Sequence, residues 1–212
     1  MAGPVDYVAW HRAYDDPASG LSWRLRTVQG WLRQALDERP GPVTLISVCA
    51  GEGRDVLGVL SEREDHGRVS ATLLEADPRI VHTARSTAAD AGLTTAEVRR
   101  ADAGHTDAYR GLAPADVVLL VGIFGNVSTE DIRRTVAWSP HLCAPGALLL
   151  WSRGRDRGDL NPQIRRWFAA AGFLERDYQE LDRDELPAAG AMTYTGGVPI
   201  TPIEGRLFEF LP

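Results

Sequence analysis

The 212-residue sequence contains no lysine; all 23 of its basic residues are arginine. That absence excludes Schiff-base chemistry, a phosphate-loop lysine and a kinase-type lysine together. Cysteine is nearly absent too. Cys49 and Cys143 lie far apart in apolar surroundings, too few for a disulfide framework or a zinc cage, so both read as buried thiols of a cytoplasmic protein, and no metal site is expected. Positive charge is in deficit, with a net charge of -6, which argues against a nucleic-acid binder or a membrane-surface protein. Long apolar runs are missing: Val117 to Phe124 is far too short to cross a bilayer, and the N-terminal residues lack the basic-then-apolar pattern of a signal peptide.

What is present is an alternation of short apolar runs with amphipathic stretches, without repeats or a linker that would split the chain. VTLISV leads into a glycine-containing turn and the helical pattern RDVLGVLSERE; RVSATLLEA precedes a helix opened by the cap Asp77 with Pro78 at its first position and closed by Gly92. TAEVRRAD, ADVVLLVGIFG and ALLLWS continue as strands, with helices from Ser128 to Ala137 and after Asn161-Pro162. FLERDY and EGRLFEF read as the last two strands, joined by the stretch Gln179–Ile203 without a helix. Such a connection predicts an antiparallel last strand, and a loop of that length is commonly functional. The whole reads as an α/β protein: a doubly wound, mostly parallel sheet whose last strand is antiparallel. Residues 1–40 lie outside the alternation. They hold an amphipathic helix with Leu21, Leu25, Val28, Leu32 and Leu36 on one stripe, and read as an N-terminal helical cap on a core spanning 41–212.

The site-forming residues cluster where strands end. Ala50-Gly51-Glu52-Gly53 falls between the first strand and its helix, where glycine lets the backbone approach a ligand and the helix N-terminal amides face it. In a doubly wound sheet that turn lies at the topological switch point. Glu75 closes the second strand and is placed to accept from the hydroxyls of a ribose; Asp102 closes the third and is placed near an exocyclic amine. Each of these acids is also read more plainly as a polar strand end.

Taken in order, AGEG, LLEADP, RADA, ADVVLLVGIFGN, LCAPGALLLW and AAGF resemble the motifs of class I S-adenosylmethionine-dependent methyltransferases with a Rossmann-like core, among them members from actinobacteria. The resemblance runs from Val43 to the C-terminus and implies a seven-stranded sheet. It also implies S-adenosyl-L-methionine as cofactor, with S-adenosyl-L-homocysteine as product. Ala50, Gly51 and Gly53 would lie at the methionine end, Glu75 and Ala76 at the ribose, Asp102 and Ala103 at the adenine, and Gly122 and Ile123 beneath the sulfonium. Arg24, from its place on the first helix, either reaches the methionine carboxylate or faces solvent. The sequence departs from the pattern at Ser47 and Cys49, which replace the usual first-strand acid and first glycine. Two alternatives stay open: a methyltransferase-like binding or regulatory protein without catalysis, and an NAD(P)-binding oxidoreductase. Against the second, Val56 stands where the dinucleotide fingerprint needs a third glycine.

A small, partly apolar acceptor methylated on oxygen or nitrogen is the expected substrate, with no nucleic acid, no membrane, and a homodimer as the assembly left open. His11 and Tyr14 are the candidate catalytic residues, His11 as a base near neutral pH. Tyr7, Trp10, Phe124, Asn126 and Tyr194 are the candidate substrate contacts, Tyr194 from the Gln179–Ile203 loop. The aromatic residues near the N-terminus are equally read as packing for the cap. Arg153, Arg155 and Arg157 either clamp a carboxylate or phosphate or simply face solvent.

Overall fold

Seven strands, six of them running in one direction, and five helices frame the computed structural model, which describes residues 14, 16–112, 114–182, 186–200 and 202–211. Strands β1 (Val43–Val48), β2 (Val69–Glu75), β3 (Ala96–Arg100), β4 (Ala115–Leu120) and β5 (Cys143–Ser152) are followed by β6 (Phe173–Glu180) and β7 (Ala188–Tyr194). The sheet order is β3-β2-β1-β4-β5-β7-β6, with β7 antiparallel to both of its neighbours and every other pairing parallel. This is the doubly wound, seven-stranded architecture expected from the sequence. The order reverses between β1 and β4, which leaves a crevice at their C-terminal ends.

Helices α1 (Gly20–Asp37), α2 (Arg54–Ser61) and α3 (Pro78–Asp90) cover one face; α4 (Thr129–Trp138) and α5 (Asn161–Ala170) cover the other. Along the central strands, side chains alternate between two cores. Leu45, Leu119 and Leu150 pack with Val28, Leu32 and Leu60 under the first helical layer, while Ile46, Val118 and Trp151 pack with Ile132, Ile164 and Phe168 under the second. Local signals set the helix starts. The Ser19 hydroxyl accepts the Ser22 N–H at 3.0 Å, Asp77 accepts that of Arg79 at 2.8 Å, and Ser128 accepts that of Asp131 at 3.1 Å. Helix α1 belongs to the first layer, packed on α2 and lying over β5 and β7, and only its N-terminal half reaches the crevice. Asn161 does not cap its helix: its side-chain amide instead donates to the Arg153 carbonyl and the Tyr178 hydroxyl, and Asp159 accepts its backbone N–H.

The last strand is a correction to the sequence reading. It is Ala188–Tyr194, inside the stretch expected to be a loop, and not EGRLFEF. Alanine and glycine are poor strand formers, so the segment AAGAMTY carries little strand signal. The glycine is required by the neighbour on β5: Gly190 pairs with Trp151, and a Cβ on Gly190 would stand 2.4 Å from the indole nitrogen. EGRLFEF forms a strap outside the sheet, tied to it by the isolated bridges His105–Arg206 and Val127–Phe210. Among the described residues no helix is long and apolar enough to cross a membrane.

Candidate functional site

The crevice at the switch point is a cavity of about 240 Å³. Its floor is the turn after β1, which has an unusual backbone. Cys49, Gly51 and Gly53 all take left-handed conformations, with φ of 51°, 58° and 75°. For Cys49 this is a conformation that usually selects glycine, and it explains how a cysteine can stand where the resemblance calls for glycine: the backbone path is kept and a side chain is added. Burial pushes the Cys49 thiol well above the ordinary range, with the Glu75 and Asp102 carboxylates adding to the shift, so it remains a protonated wall atom. Ser47, the other departure, is buried and also lines the cavity.

Glu75 locks this turn to the end of β2. Its Oε2 accepts the Gly51 N–H at 3.0 Å, and its Oε1 accepts those of Ala76 and Asp77 at 2.8 and 2.9 Å. Oε1 is thereby saturated, while Oε2 keeps a free acceptor position. Beyond β3, Asp102 is held on both oxygens: Oδ1 accepts the Gly104 N–H at 2.9 Å, and Oδ2 pairs with Arg206 at 2.6 Å. On the β4 side, the turn Gly122–Asn126 is closed by the Asn126 amide donating to the Gly122 carbonyl at 2.9 Å, and Gly122 N–H reaches the Ser152 hydroxyl at 2.9 Å.

The strap supplies the remaining wall, which the sequence reading did not anticipate. Gly104 accepts the Leu207 N–H at 2.7 Å, Thr106 and Gly205 bond to each other, and Leu211 N–H reaches the Asn126 carbonyl at 2.8 Å. The segment therefore spans from the β3 exit to the β4 exit and lays Phe208 and Phe210, in edge-to-face contact at 5.9 Å, along the cavity. Ile80 and Asp55, from the first turns of α3 and α2, complete the wall.

Of the residues singled out from sequence, Tyr14, Arg24, Ala50, Gly51, Glu75, Ala76, Asp102, Ala103, Gly122 and Asn126 all line this one cavity. Arg24 on α1 donates through Nη2 to the Tyr14 hydroxyl and stands beside Gly122, and the Arg54 guanidinium lies over the Tyr14 ring at 5.2 Å. Burial raises the Tyr14 phenol above its ordinary range despite these cations, which keeps it protonated at neutral pH.

Four residues are placed elsewhere. Gly53 is the buried N-cap of α2, where a Cβ would meet Leu73 and Leu57 at 2.7 and 2.8 Å; its role is the turn, not the cavity wall. Ile123 and Phe124 point into the second core, Phe124 against Trp151 and Phe168, because the Gly122 turn reverses the chain before they reach the crevice. Tyr194 is buried at the end of β7 against Phe173 at 5.0 Å, a consequence of the strand lying where a loop was expected. Tyr7, Trp10 and His11 lie outside the described residues.

No family model matches the sequence, and no curated protein matches it either. Solved structures do match. Magnesium protoporphyrin IX methyltransferase from Synechocystis PCC 6803, with bound S-adenosylmethionine, superposes with a TM-score of 0.68 at 14% identity, over 92% of this chain and 87% of that one. The 1,6-didemethyltoxoflavin-N1-methyltransferase of Burkholderia thailandensis, with its substrate and S-adenosylhomocysteine bound, gives 0.64 at 17% identity over 92% of each chain. A tRNA methyltransferase from B. subtilis gives 0.57 at 15% identity, over 82% of this chain and 65% of that one. The fold is the one these methyltransferases use. At such identities the likeness speaks for the architecture and leaves the chemistry to the residues.

Proposed function

We propose that the protein is an S-adenosylmethionine-dependent methyltransferase acting on oxygen or nitrogen of a small, partly apolar acceptor. The observation that carries this reading is the convergence of Gly51, Glu75, Asp102 and Gly122, from four different strand ends, on one cavity at the switch point of this fold.

The lining fits the cofactor part by part. The remaining acceptor position on Glu75 Oε2 suits a ribose hydroxyl, a role supported by its place at the end of β2. Ile80, Phe208 and Phe210 offer apolar faces for an adenine, with Asp102 and Ala103 at its edge. Ala50 and Gly51 border the methionine end. There Arg24 supplies a cation for the carboxylate, and Asp55 with Ser47 takes the place of the missing first-strand acid opposite the ammonium. Gly122, without a side chain, leaves room beside the sulfonium.

When bound, S-adenosylmethionine supplies a methyl group on a positively charged sulfur. What the chain must do is hold the acceptor in line at about 3–3.5 Å and keep water out. Tyr14, protonated and oriented by Arg24, serves as a hydrogen-bond donor to the acceptor or cofactor and not as a base. The residues beyond it toward the N-terminus, with His11 among them, remain the candidates for taking a proton where the acceptor has one to lose. The net charge of -6 favours a small acceptor over nucleic acid, and two free thiols suit the reducing cytoplasm.

Calorimetry tests the reading. S-adenosylhomocysteine should bind and raise the melting temperature, and NADH should do neither. Failure of both S-adenosylmethionine and S-adenosylhomocysteine to bind would overturn it. Binding without turnover across oxygen and nitrogen acceptors would transfer the protein to the non-catalytic alternative.

A further inference from the structure

A second cavity, of about 230 Å³, opens beside the first. The two share Arg24, Gly122 and Asn126, so they meet where the sulfonium would lie in the reading above. The second adds the exit of β5 around Arg153, the start of α1, and Asp156 with Arg157.

The arginines near the β5 exit differ in what they touch. Arg155 pairs with Asp182 at 2.6 Å and lies 3.7 Å from Glu180. Arg157 is largely exposed and lies 3.9 Å from Asp156. Arg153 is half-buried and has no carboxylate within ion-pair distance among the described residues. Its Nη1 donates to the carbonyls of Gly154 at 2.9 Å and Gly158 at 2.7 Å, which fixes the guanidinium, and its Nε is buried with no acceptor. Burial pulls its proton affinity below the ordinary arginine range, against the opposing fields of Asp156 and Asp159. A guanidinium keeps its charge regardless, so the fold holds a fixed, poorly solvated cation on the wall of a cavity. Such a cation becomes favourable when an anion fills the space in front of it.

We infer that the second cavity receives the acceptor, and that the acceptor carries an oxyanion, a carboxylate or a phosphate, held by Arg153. That the bound anion is a methyl acceptor rests on the methyltransferase reading; the anion site does not. With its charged end at Arg153, a small molecule is steered so that its other end faces the junction at Gly122 and Asn126.

The test is a nitrogen-15 NMR titration of the full chain with benzoate, inorganic phosphate and neutral benzamide, run with and without saturating S-adenosylhomocysteine. Benzoate or phosphate should shift the Arg153 Nε–H signal and the Gly154 and Asn126 amides, and benzamide should not. A response to benzoate alone assigns a carboxylate, and a response to phosphate alone assigns a phosphate. Arg153→Gln should weaken the response by about ten-fold, the scale of a lost charged hydrogen bond. Arg153→Lys, which keeps the charge but loses the planar fork, covers the case in which the glutamine variant fails to fold and should weaken it by a smaller factor. The inference is overturned if neither anion moves these signals, or if the folded variants respond as the wild type does. Loss of S-adenosylhomocysteine binding by the wild type would instead overturn the methyltransferase reading and leave the anion titration to judge Arg153.

Discussion

Glu75 Oε2 accepts the backbone N–H of Gly51 at 3.0 Å across 24 positions of sequence, and this bond joins the turn after β1 to the end of β2. The same carboxylate holds Ala76 and Asp77 through its other oxygen, so it shapes the cavity before any ligand enters. Glu75→Gln keeps the shape but presents an amide N–H to one set of these donors, whichever way the side chain turns. The expected result is a loss of about 1–3 kcal/mol of stability by urea denaturation, together with S-adenosylhomocysteine binding at least about ten-fold weaker by calorimetry. Unchanged affinity would remove the ribose role and leave Glu75 a purely structural clasp.

Gly104 is the hinge on which the strap rests. A Cβ there would stand 2.4 Å from the Phe208 carbonyl oxygen, which is backbone and has to move. Gly104→Ala should therefore lift the segment that carries Phe208 and Phe210. Amide exchange at Leu207 and Leu211 should accelerate, and S-adenosylhomocysteine affinity should fall several-fold while the sheet core keeps its protection. Unaltered exchange at both amides would show that the strap does not depend on this contact.

How much of this was legible in the sequence follows from how local each signal is. The β1 turn, the Asp77-Pro78 cap, Glu75 and Gly122 each leave a signal within a few residues, and although an acid or a glycine at one strand end has a plain reading by itself, their succession along the chain narrows what they can mean together. β7 did not, because its composition answers to Trp151 on the neighbouring strand and not to its own strand propensity. The strap Gly205–Leu211 alternates in polarity enough to resemble a strand. Its apolar residues are there for a cavity wall and the Gly104 carbonyl, contacts about a hundred positions away in sequence that no local pattern encodes. Tyr194 lies in the core and away from the crevice for the same reason that β7 is hard to read, and Phe124 because the Gly122 turn decides which of the following side chains face the crevice.

Cys49 offers a test of the departure from the expected glycine. Its φ of 51° costs a side-chain-bearing residue about 1 kcal/mol that glycine does not incur, while its half-buried side chain returns part of that by packing against the second core. Cys49→Gly should therefore leave the melting temperature nearly unchanged and preserve S-adenosylhomocysteine binding. Cys49→Val adds a β-branched side chain to the same left-handed backbone and should be clearly less stable than the glycine variant. Equal stability of the two would mean that the turn relaxes out of the left-handed conformation.

Alkaline stability is set by groups that the fold keeps protonated. Burial raises the Cys143 thiol from 9.0 to about 12, and raises the Cys49 thiol and the Tyr14 and Tyr109 phenols as well. In the unfolded chain these groups release protons from about pH 9 upward, whereas in the folded chain they still hold them, so the folded state binds more protons in that range. The stabilisation is present in full below pH 9 and is lost as pH rises toward 12. Stability measured by urea denaturation should accordingly fall steadily above pH 9. Cys143→Ala should cost about 1 kcal/mol near neutrality, from the atoms removed from the core, but decline less steeply above pH 9, so that the two curves converge. Parallel curves across that range would show that the Cys143 thiol ionises in the folded protein as readily as in the unfolded chain.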